Sequence, residues 1–530
     1  MKKVGLFFCR AECIDFESVD VESLAKEYTD LAAVGVYDNL HRPDAVEDIV
    51  NQVRVNSLEG VVLAACSPKY FINTLGGDLL INRLVEMGIN PNLISHANLK
   101  EQCALPHKEE MSKATKKAKA MVDVALEKIK VSHPLEMVSI SPHRSVLVIG
   151  TTAGGIIAAY HLINKGYKVT LIDNVGELRT AAEWMGDIQP ALAAIQTSRD
   201  ARIYFDTDVA DLSGWCGDYT VTLQRGDEKE NLTVGGIIIA TGDDLKWTTA
   251  LHPLLHIDVD AKGYFKSRNP HTMSVNTTDD GICLTPRHEG KADLKNAMEG
   301  ATSAVVAITT LLEKNEILHP VTVSEVDEQV CGACSTCVKT CAYSACTLDM
   351  FKKVSVIDPR RCKGCGNCVA ACPTGARDLV TYPNDYLINA VEIYSKCPPL
   401  GSAKVLAFLC NGCAYPAADK AGTLGFSYPA SVLPLGVECA GRVDTQYILE
   451  AFRFGFDGIL LGRCREGHCH NIVGPTYMDR RVNLFRDVIR SRGLDSERVR
   501  FLDISPHEGK LFAQEVNQFV EDLKKIGGEV

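Results

Sequence analysis

Eight cysteines fall into two stretches of one spacing, Cys331-x2-Cys334-x2-Cys337-x3-Cys341 and Cys362-x2-Cys365-x2-Cys368-x3-Cys372-Pro373. Three thiolates spaced by two residues wrap three corners of a 4Fe-4S cubane, and the fourth cysteine of each stretch reaches the other cluster. That rule puts Cys331, Cys334, Cys337 and Cys372 on one cluster and Cys341, Cys362, Cys365 and Cys368 on a second. Zinc would need only two C-x2-C pairs, so the repeated spacing ending in Cys372-Pro373 favours iron-sulfur chemistry. The first stretch departs from the second at Cys341-Ala342, where proline is missing. One-electron transfer is the chemistry these residues can do.

Five further cysteines, Cys410, Cys413, Cys439, Cys464 and Cys469, fall at or just after apolar runs that read as strands. Open parallel sheets gather ligands at the carboxyl ends of their strands, so the five are expected to converge. Four thiolates suit a 2Fe-2S cluster or zinc, and spacing does not choose between them. Cys9, Cys13, Cys66 and Cys103 invite the same argument at the N-terminal end, with four buried thiols as the alternative.

A different signal begins at Ser145. The apolar run Val146 to Gly150 enters Gly150-x-Thr152-x-x-Gly155 and then a helical stretch, and Asp173 ends the next strand. This is a dinucleotide fingerprint with threonine at its middle glycine. An intact loop would let backbone approach a pyrophosphate while the acidic residue holds a ribose hydroxyl. The run Thr233 to Gly242, closing on Thr241-Gly242, is a second pattern found in two-dinucleotide flavoproteins and points to FAD.

The elements that must position these groups are α/β throughout. Residues 1–140 alternate strands and helices as a parallel-sheet N-terminal domain. Residues 141–325 read as a short Rossmann-like FAD domain, with a β-meander over 202–240, a helix over 292–313 and a linker at 317–320. Residues 326–385 form a bacterial-type two-cluster ferredoxin domain, and 386–530 a C-terminal α/β domain. Ser505-Pro506-His507-Glu508 has the form of a capping box opening the last helix. The chain has 530 residues, 46% of them hydrophobic, enough for several cores. Net charge is -11 with no basic run interleaved with aromatics, which argues against nucleic-acid partners. Met1-Lys2-Lys3 and Val4 to Cys9 imitate a signal peptide, but Arg10 and Glu12 cut the apolar run short. No stretch reaches the about 18 apolar residues of a membrane span. A soluble cytoplasmic protein is expected, with 21 cysteines used for metal or redox work rather than disulfides.

Several runs carry a resemblance. Leu409-Cys410-Asn411-Gly412-Cys413-Ala414-Tyr415, Cys439-Ala440-Gly441-Arg442-Val443-Asp444 and Gly462-Arg463-Cys464 with Gly467-His468-Cys469-His470 resemble the delta subunit of methyl-viologen-reducing hydrogenase over about residues 403–527. That resemblance implies a 2Fe-2S cluster in the C-terminal domain, receiving electrons from a hydrogenase or formate dehydrogenase. Leu63 to Pro68 and Ala97 to Cys103 resemble the N-terminal domain of the A-type component of heterodisulfide reductase, which implies a third 4Fe-4S cluster on Cys9, Cys13, Cys66 and Cys103. Here Cys9 and Cys13 are spaced x3, and His41 stands where relatives often have cysteine.

The domain order resembles that same heterodisulfide reductase component. With the delta-type domain fused behind it, the chain is similar to the B-type component of quinone-interacting membrane-bound oxidoreductase. The resemblance implies an iron-sulfur flavoprotein relaying electrons among other oxidoreductase subunits of an anaerobe, possessing no membrane span of its own but able to join a membrane-associated complex. Two departures stand out: the flavin block is short, and no cysteine lies between Asp173 and Cys216. The alternatives are a self-contained flavoenzyme acting on a small substrate and a scaffold with an empty flavin site.

Overall fold

The computed structural model describes residues 2–10, 18–69, 79–180, 184–255, 257, 259–260, 262–267, 275–285, 294–321 and 323–527. The chain divides into one unit of Met1–Glu136 with Thr322–Val530 and a second of Met137–Val321.

In the first unit, strands β1 (Val4–Cys9), β2 (Ala33–Tyr37), β3 (Gly60–Ala65) and β4 (Ile94–Asn98) form a parallel sheet in the order β2-β1-β3-β4. β1 and β3 are buried along nearly their whole length, which is why they read as continuous apolar runs. Helix Met111–Val131 lies on the sheet through Ala114, Ala118, Met121, Val122 and Ala125 and keeps most of its lysines outside.

The second unit opens with β5 (Met137–Ile140). Strands β6 (Ser145–Ile149), β7 (Lys168–Ile172) and β8 (Ala201–Tyr204) precede an antiparallel ribbon of β9 (Asp208–Trp215), β10 (Asp218–Arg225) and β11 (Glu228–Val234). Strands β12 (Gly236–Ile239) and β13 (Ile282–Leu284) complete a parallel sheet in the order β13-β12-β6-β7-β8. The run expected as the closing strand of the meander is thus two strands in two sheets. The chain changes sheet at Gly235, where an added Cβ would strike the His143 carbonyl. Residues 202–204 belong to the parallel sheet, not to the meander. The expected linker is strand β14 (Ile317–Pro320), paired antiparallel with β5; its proline is tolerated at a sheet edge.

Back in the first unit, β15 (Ser324–Val326) pairs with β18 (Arg377–Leu379), and β16 (Cys346–Asp349) with β17 (Val354–Ile357). The helix Asn384–Ser395, which no sequence pattern announced, leads to β19 (Val405–Cys410), β20 (Val432–Val437), β21 (Gly458–Arg463) and β22 (Val499–Asp503), parallel in the order β20-β19-β21-β22. The last helix begins at Gly509, later than expected. Glu508 Oε2 accepts from Ser505 N at 2.7 Å, the reciprocal half of a capping box, while its carboxylate also binds Arg465.

The two four-stranded sheets of this unit share one apolar core. Between them Asp419, on helix Ala414–Thr423, accepts from Ser67 Oγ at 2.6 Å, Asn98 Nδ2 at 2.8 Å and Gln102 Nε2 at 2.6 Å. Burial raises its carboxyl from 3.8 to about 7 in spite of these three donors. The folded chain therefore holds this proton more tightly than the unfolded chain. The resulting stabilisation is complete below 3.8 and is lost as pH rises through about 7. Thermal unfolding should show stability falling by on the order of 4 kcal/mol over that window, with a flatter profile for Asp419→Asn; identical profiles would contradict the assignment.

Candidate metal centres and dinucleotide loop

Each four-cysteine motif is folded by left-handed backbone on both sides of its middle cysteine. Ala333 and Ser335 have φ of 53° and 60°, and Gly364 and Gly366 have 64° and 74° at the matching places. The turns direct successive cysteines to one side, and the first motif holds non-glycine residues in a conformation costing on the order of 1 kcal/mol each. Cys337, Cys346 and Cys368 are buried with Val369 and Leu379 in a small core. Cys346 is no expected ligand, yet it stands beside Cys337, Cys341 and Cys368 and lowers each of their thiols.

The two motifs repeat beyond their cysteines. Cys341-Ala342-Tyr343-Ser344-Ala345-Cys346 matches Cys372-Pro373-Thr374-Gly375-Ala376-Arg377, and Ser344 and Gly375 both have positive φ. Cys346 and Arg377 are therefore equivalent positions, each opening a strand. Arg377 is 2% exposed, and its Nη2 donates to Ser355 Oγ at 2.6 Å. Its Nε and Nη1 carry no hydrogen-bond partner among the described residues. Bonds from Cys346, then from Ser355 and Arg377, pull the Cys337 thiol down to about 4 against the effect of burial. A buried guanidinium facing these sulfurs favours thiolate and, with it, metal ligation.

In the C-terminal sheet all five cysteines are buried. Cys410 ends β19, Cys413 caps the following helix, Cys439 follows β20 and Cys464 follows β21. Cys410 Sγ lies 3.8 Å from Cys464 Sγ. His470 Nδ1 lies 3.9 Å from both Cys413 Sγ and Cys464 Sγ. The ligand atoms of Cys413, Cys464 and His470 all fall within 4.8 Å of one another. Cys469 bonds to Cys439 and Cys464, which draws its thiol down to about 4. An added Cβ on Gly474 would strike Cys439 Sγ, so glycine there keeps the sulfur in place. The expected convergence of all five cysteines is what the fold produces. His470 was missed as a candidate; the signal was its position directly after Cys469.

This centre adjoins the second ferredoxin motif. Gly441, in the turn after Cys439, abuts the side chain of Asn367, whose Nδ2 lies 3.6 Å from Cys365 Sγ. Bonding to Cys469, then burial, lifts the Cys439 thiol well above its ordinary range, and charge on Cys469 and Cys365 adds to the rise.

The N-terminal cysteines divide. Cys9 and Cys66 lie at the ends of β1 and the neighbouring β3, and His41 Nε2 lies 3.7 Å from Cys66 Sγ. Burial, then charge on Glu101 and Cys9, lifts the Cys66 thiol to about 12. Cys103 departs from the expectation. It is fully buried in the π-helical turn Lys100–Ala104, donates to the Ala114 carbonyl at 3.1 Å and neighbours Lys117 and Cys397. The helix-like turn after β4 aims it at the helix Met111–Val131, where sequence spacing had suggested a ligand. Cys13 lies outside the described residues.

In the second unit the glycine frame is present. Gly150 has φ of 113°, and a Cβ on it would strike the Ala240 carbonyl; one on Gly155 would strike the Gly150 carbonyl. Thr152 caps the helix Ala153–Asn164, and its Oγ1 donates to Ala240 O at 2.9 Å. Thr241 is buried beside it, and Gly242, with φ of 63°, faces the Thr152 methyl. Asp173 is fully buried and committed. Its Oδ2 accepts from Thr151 N at 2.8 Å and Thr151 Oγ1 at 2.6 Å, and its Oδ1 from Arg179 Nε at 2.6 Å. The glycines are thus required by close backbone approach within the loop, whereas the carboxylate expected to hold a ribose is engaged by Arg179.

Comparison with known proteins adds to this geometry. Residues 405–527 match the family model of the methyl-viologen-reducing hydrogenase delta subunit, and residues 355–378 a 4Fe-4S binding domain. The D-type iron-sulfur component of the F420-non-reducing hydrogenase of Archaeoglobus profundus is 39% identical over 123 residues, 23% of this chain and 90% of the relative. The A-type component of the ferredoxin:CoB-CoM heterodisulfide reductase of Methanosarcina mazei is 31% identical over 314 residues, 58% of this chain. The chain spans 38% of that relative's length.

Removing one thiol from each neighbourhood separates ligands from bystanders. Cys464→Ser should lower iron by about two per chain after anaerobic purification, while Cys103→Ser leaves iron unchanged. Loss of iron in Cys103→Ser would contradict the separation of Cys103 from the sulfur centres.

Proposed function

Because the chain belongs, over residues 405–527, to the methyl-viologen-reducing hydrogenase delta-subunit family and is joined there to a stretch similar to the A-type component of heterodisulfide reductase, we propose that it relays electrons between subunits of a larger oxidoreductase complex. The observation that carries this reading is the abutment of Asn367 and Gly441, which brings the second ferredoxin motif beside the C-terminal sulfur centre. Two 4Fe-4S clusters would be held by Cys331, Cys334, Cys337 and Cys372 and by Cys341, Cys362, Cys365 and Cys368. A 2Fe-2S cluster would draw its ligands from Cys410, Cys413, Cys439, Cys464 and Cys469.

Bound clusters supply reversible one-electron steps, and the protein sets their potentials through charge, burial and hydrogen bonds to sulfur. Arg377 supplies such charge beside Cys337 and Cys368, and Asn367 such a bond at Cys365. The donor and acceptor would be other iron-sulfur subunits of hydrogenase, formate dehydrogenase or heterodisulfide-reductase type. No helix of the described residues is long and apolar enough to cross a membrane.

FAD is the molecule the glycine loop of the second unit would take, with Gly150, Thr152 and Gly155 at the pyrophosphate. Arg179 competes with its ribose for Asp173, and this favours a weakly filled flavin site over a flavoenzyme acting alone. Fluorescence titration with FAD should show tighter binding in Arg179→Ala than in the unaltered protein; equal or weaker binding would contradict that competition.

The relay itself is tested by Cys365→Ser. One 4Fe-4S signal should vanish from the electron paramagnetic resonance spectrum of the reduced protein while the C-terminal signal persists, and electron delivery from the ferredoxin clusters to the C-terminal centre should slow at least tenfold. Unchanged delivery would overturn the reading.

A further inference from the structure

The two cysteine stretches repeat, and at one place charge breaks the repeat. Cys346 and Arg377 each lie five residues after the last cysteine of their stretch, and each opens a strand, β16 or β18. Their neighbours correspond as well. Cys346 stands beside Cys368, the third cysteine of the second stretch, and Arg377 beside Cys337, the third cysteine of the first. The repeat therefore offers one such position to each cluster. One is filled by a thiol, which is never positively charged, and the other by a guanidinium, which always is.

Arg377 is held firmly in its place. Its Nη2 donates to Ser355 Oγ at 2.6 Å, and that oxygen lies 3.1 Å from Cys337 Sγ and 3.1 Å from the Thr347 carbonyl. Ser355 and Thr347 face each other across β17 and β16, so the hairpin fixes the guanidinium against the sulfur. Arg377 is 2% exposed, and its Nε and Nη1 find no hydrogen-bond partner among the described residues. A cation buried with donors unmet is costly unless negative charge stands close. A 4Fe-4S cluster on four thiolates is such a charge, and its negative charge grows by one on reduction.

The two clusters also differ in their surroundings. Cys334 is exposed, whereas the other described cysteines of the two stretches are half-buried or buried. The second stretch adjoins the C-terminal sulfur centre through Asn367 and Gly441.

We infer that Arg377 makes the cluster of Cys331, Cys334, Cys337 and Cys372 the more oxidising of the two, so that an electron on the pair comes to rest there, away from the C-terminal centre and beside the exposed Cys334. The inference rests on the relay reading for the ligand sets. The transfer moves one electron: the cluster of Cys341, Cys362, Cys365 and Cys368 is oxidised by one and its neighbour is reduced by one. The fixed cation offsets the added negative charge, so no proton need accompany the electron. Arg377 also acts on Cys368 and Cys362, but the effect of a charge falls with distance and is greatest on the cluster it faces. It ligates no iron and works as a positioning residue for the electron.

The test uses the anaerobically purified full chain, titrated with dithionite and followed by electron paramagnetic resonance. Two 4Fe-4S signals should reduce at separate potentials, and Cys365→Ser should remove the one of lower potential; removal of the higher one overturns the inference. Arg377→Gln should lower the higher potential by at least tenfold in the reduction equilibrium, about 59 mV for one electron, and shift the other less. Arg377→Lys, which keeps the charge, should restore most of that loss, as a merely structural role would not. An unmoved potential in Arg377→Gln, or an equal loss in Arg377→Lys, overturns the inference. The C-terminal signal reports intact folding in every variant, and if Arg377→Gln does not keep its iron, the Cys365→Ser comparison decides alone. If the potentials are ordered as stated but the pair exchanges no electrons with the C-terminal centre, the relay reading fails and the role of Arg377 stands; if exchange is fast and the order is reversed, the role of Arg377 alone fails.

Discussion

Arg442 is completely buried, and much of the first unit is arranged around that fact. A guanidinium removed from water costs several kcal/mol unless its donors are met. Its partners come from the segment just after the ferredoxin motifs: Nη2 donates to the Tyr382 carbonyl at 3.0 Å and to Asn384 Oδ1 at 2.9 Å, and Asp378 stands 3.6 Å away. Nη1 donates to Tyr447 OH within its own domain. Gly366 has no side chain because the Arg442 stem occupies that space. Arg442 follows Cys439 by three residues, and Gly366 follows Cys365 by one, so the hydrogen bonds at the two Nη atoms of one buried charge fix two sulfur centres against each other.

The rest of the unit follows from similar close approaches. Gly441 meets Asn367, Gly474 meets Cys439, and Gly422 meets the Glu101 carbonyl. The last of these, with the Asp419 hydrogen bonds, joins the N-terminal sheet to the C-terminal one. Backbone packed this tightly keeps cysteines at fixed separations without help from disulfides. Electron transfer between centres depends on such fixed separations.

Much of this was legible in the sequence where spacing is local. The ferredoxin motif could be read because four cysteines fall within a short run, and residues 355–378 match a 4Fe-4S binding domain. The C-terminal cysteines could be read because each follows an apolar strand. His470 and Arg377 could not be weighed, because their roles come from three-dimensional neighbours, although Arg377 stands at the repeat position of Cys346. Cys103 was misjudged because the turn Lys100–Ala104 rotates it away from the strand ends. Asp173 was placed correctly at its strand end, but only the fold reveals that Thr151 and Arg179 already hold it. The shared strand order of the two parallel sheets of the first unit leaves a trace in Lys3-Val4 to Cys9 against Lys404-Val405 to Cys410, and in Glu59-Gly60 to Cys66 against Asp457-Gly458 to Cys464. Shared residues that sparse become persuasive only when register aligns them.

A conducting path through the first unit requires that the second ferredoxin cluster and the C-terminal cluster be close enough for their electron spins to interact. The direct measurement is the electron paramagnetic resonance spectrum of the fully reduced protein compared with that of Cys464→Ser. The account predicts a dipolar splitting of the ferredoxin signal that is lost when the C-terminal cluster is removed. A spectrum that is the plain superposition of isolated clusters, unchanged in line shape by that substitution, would contradict it.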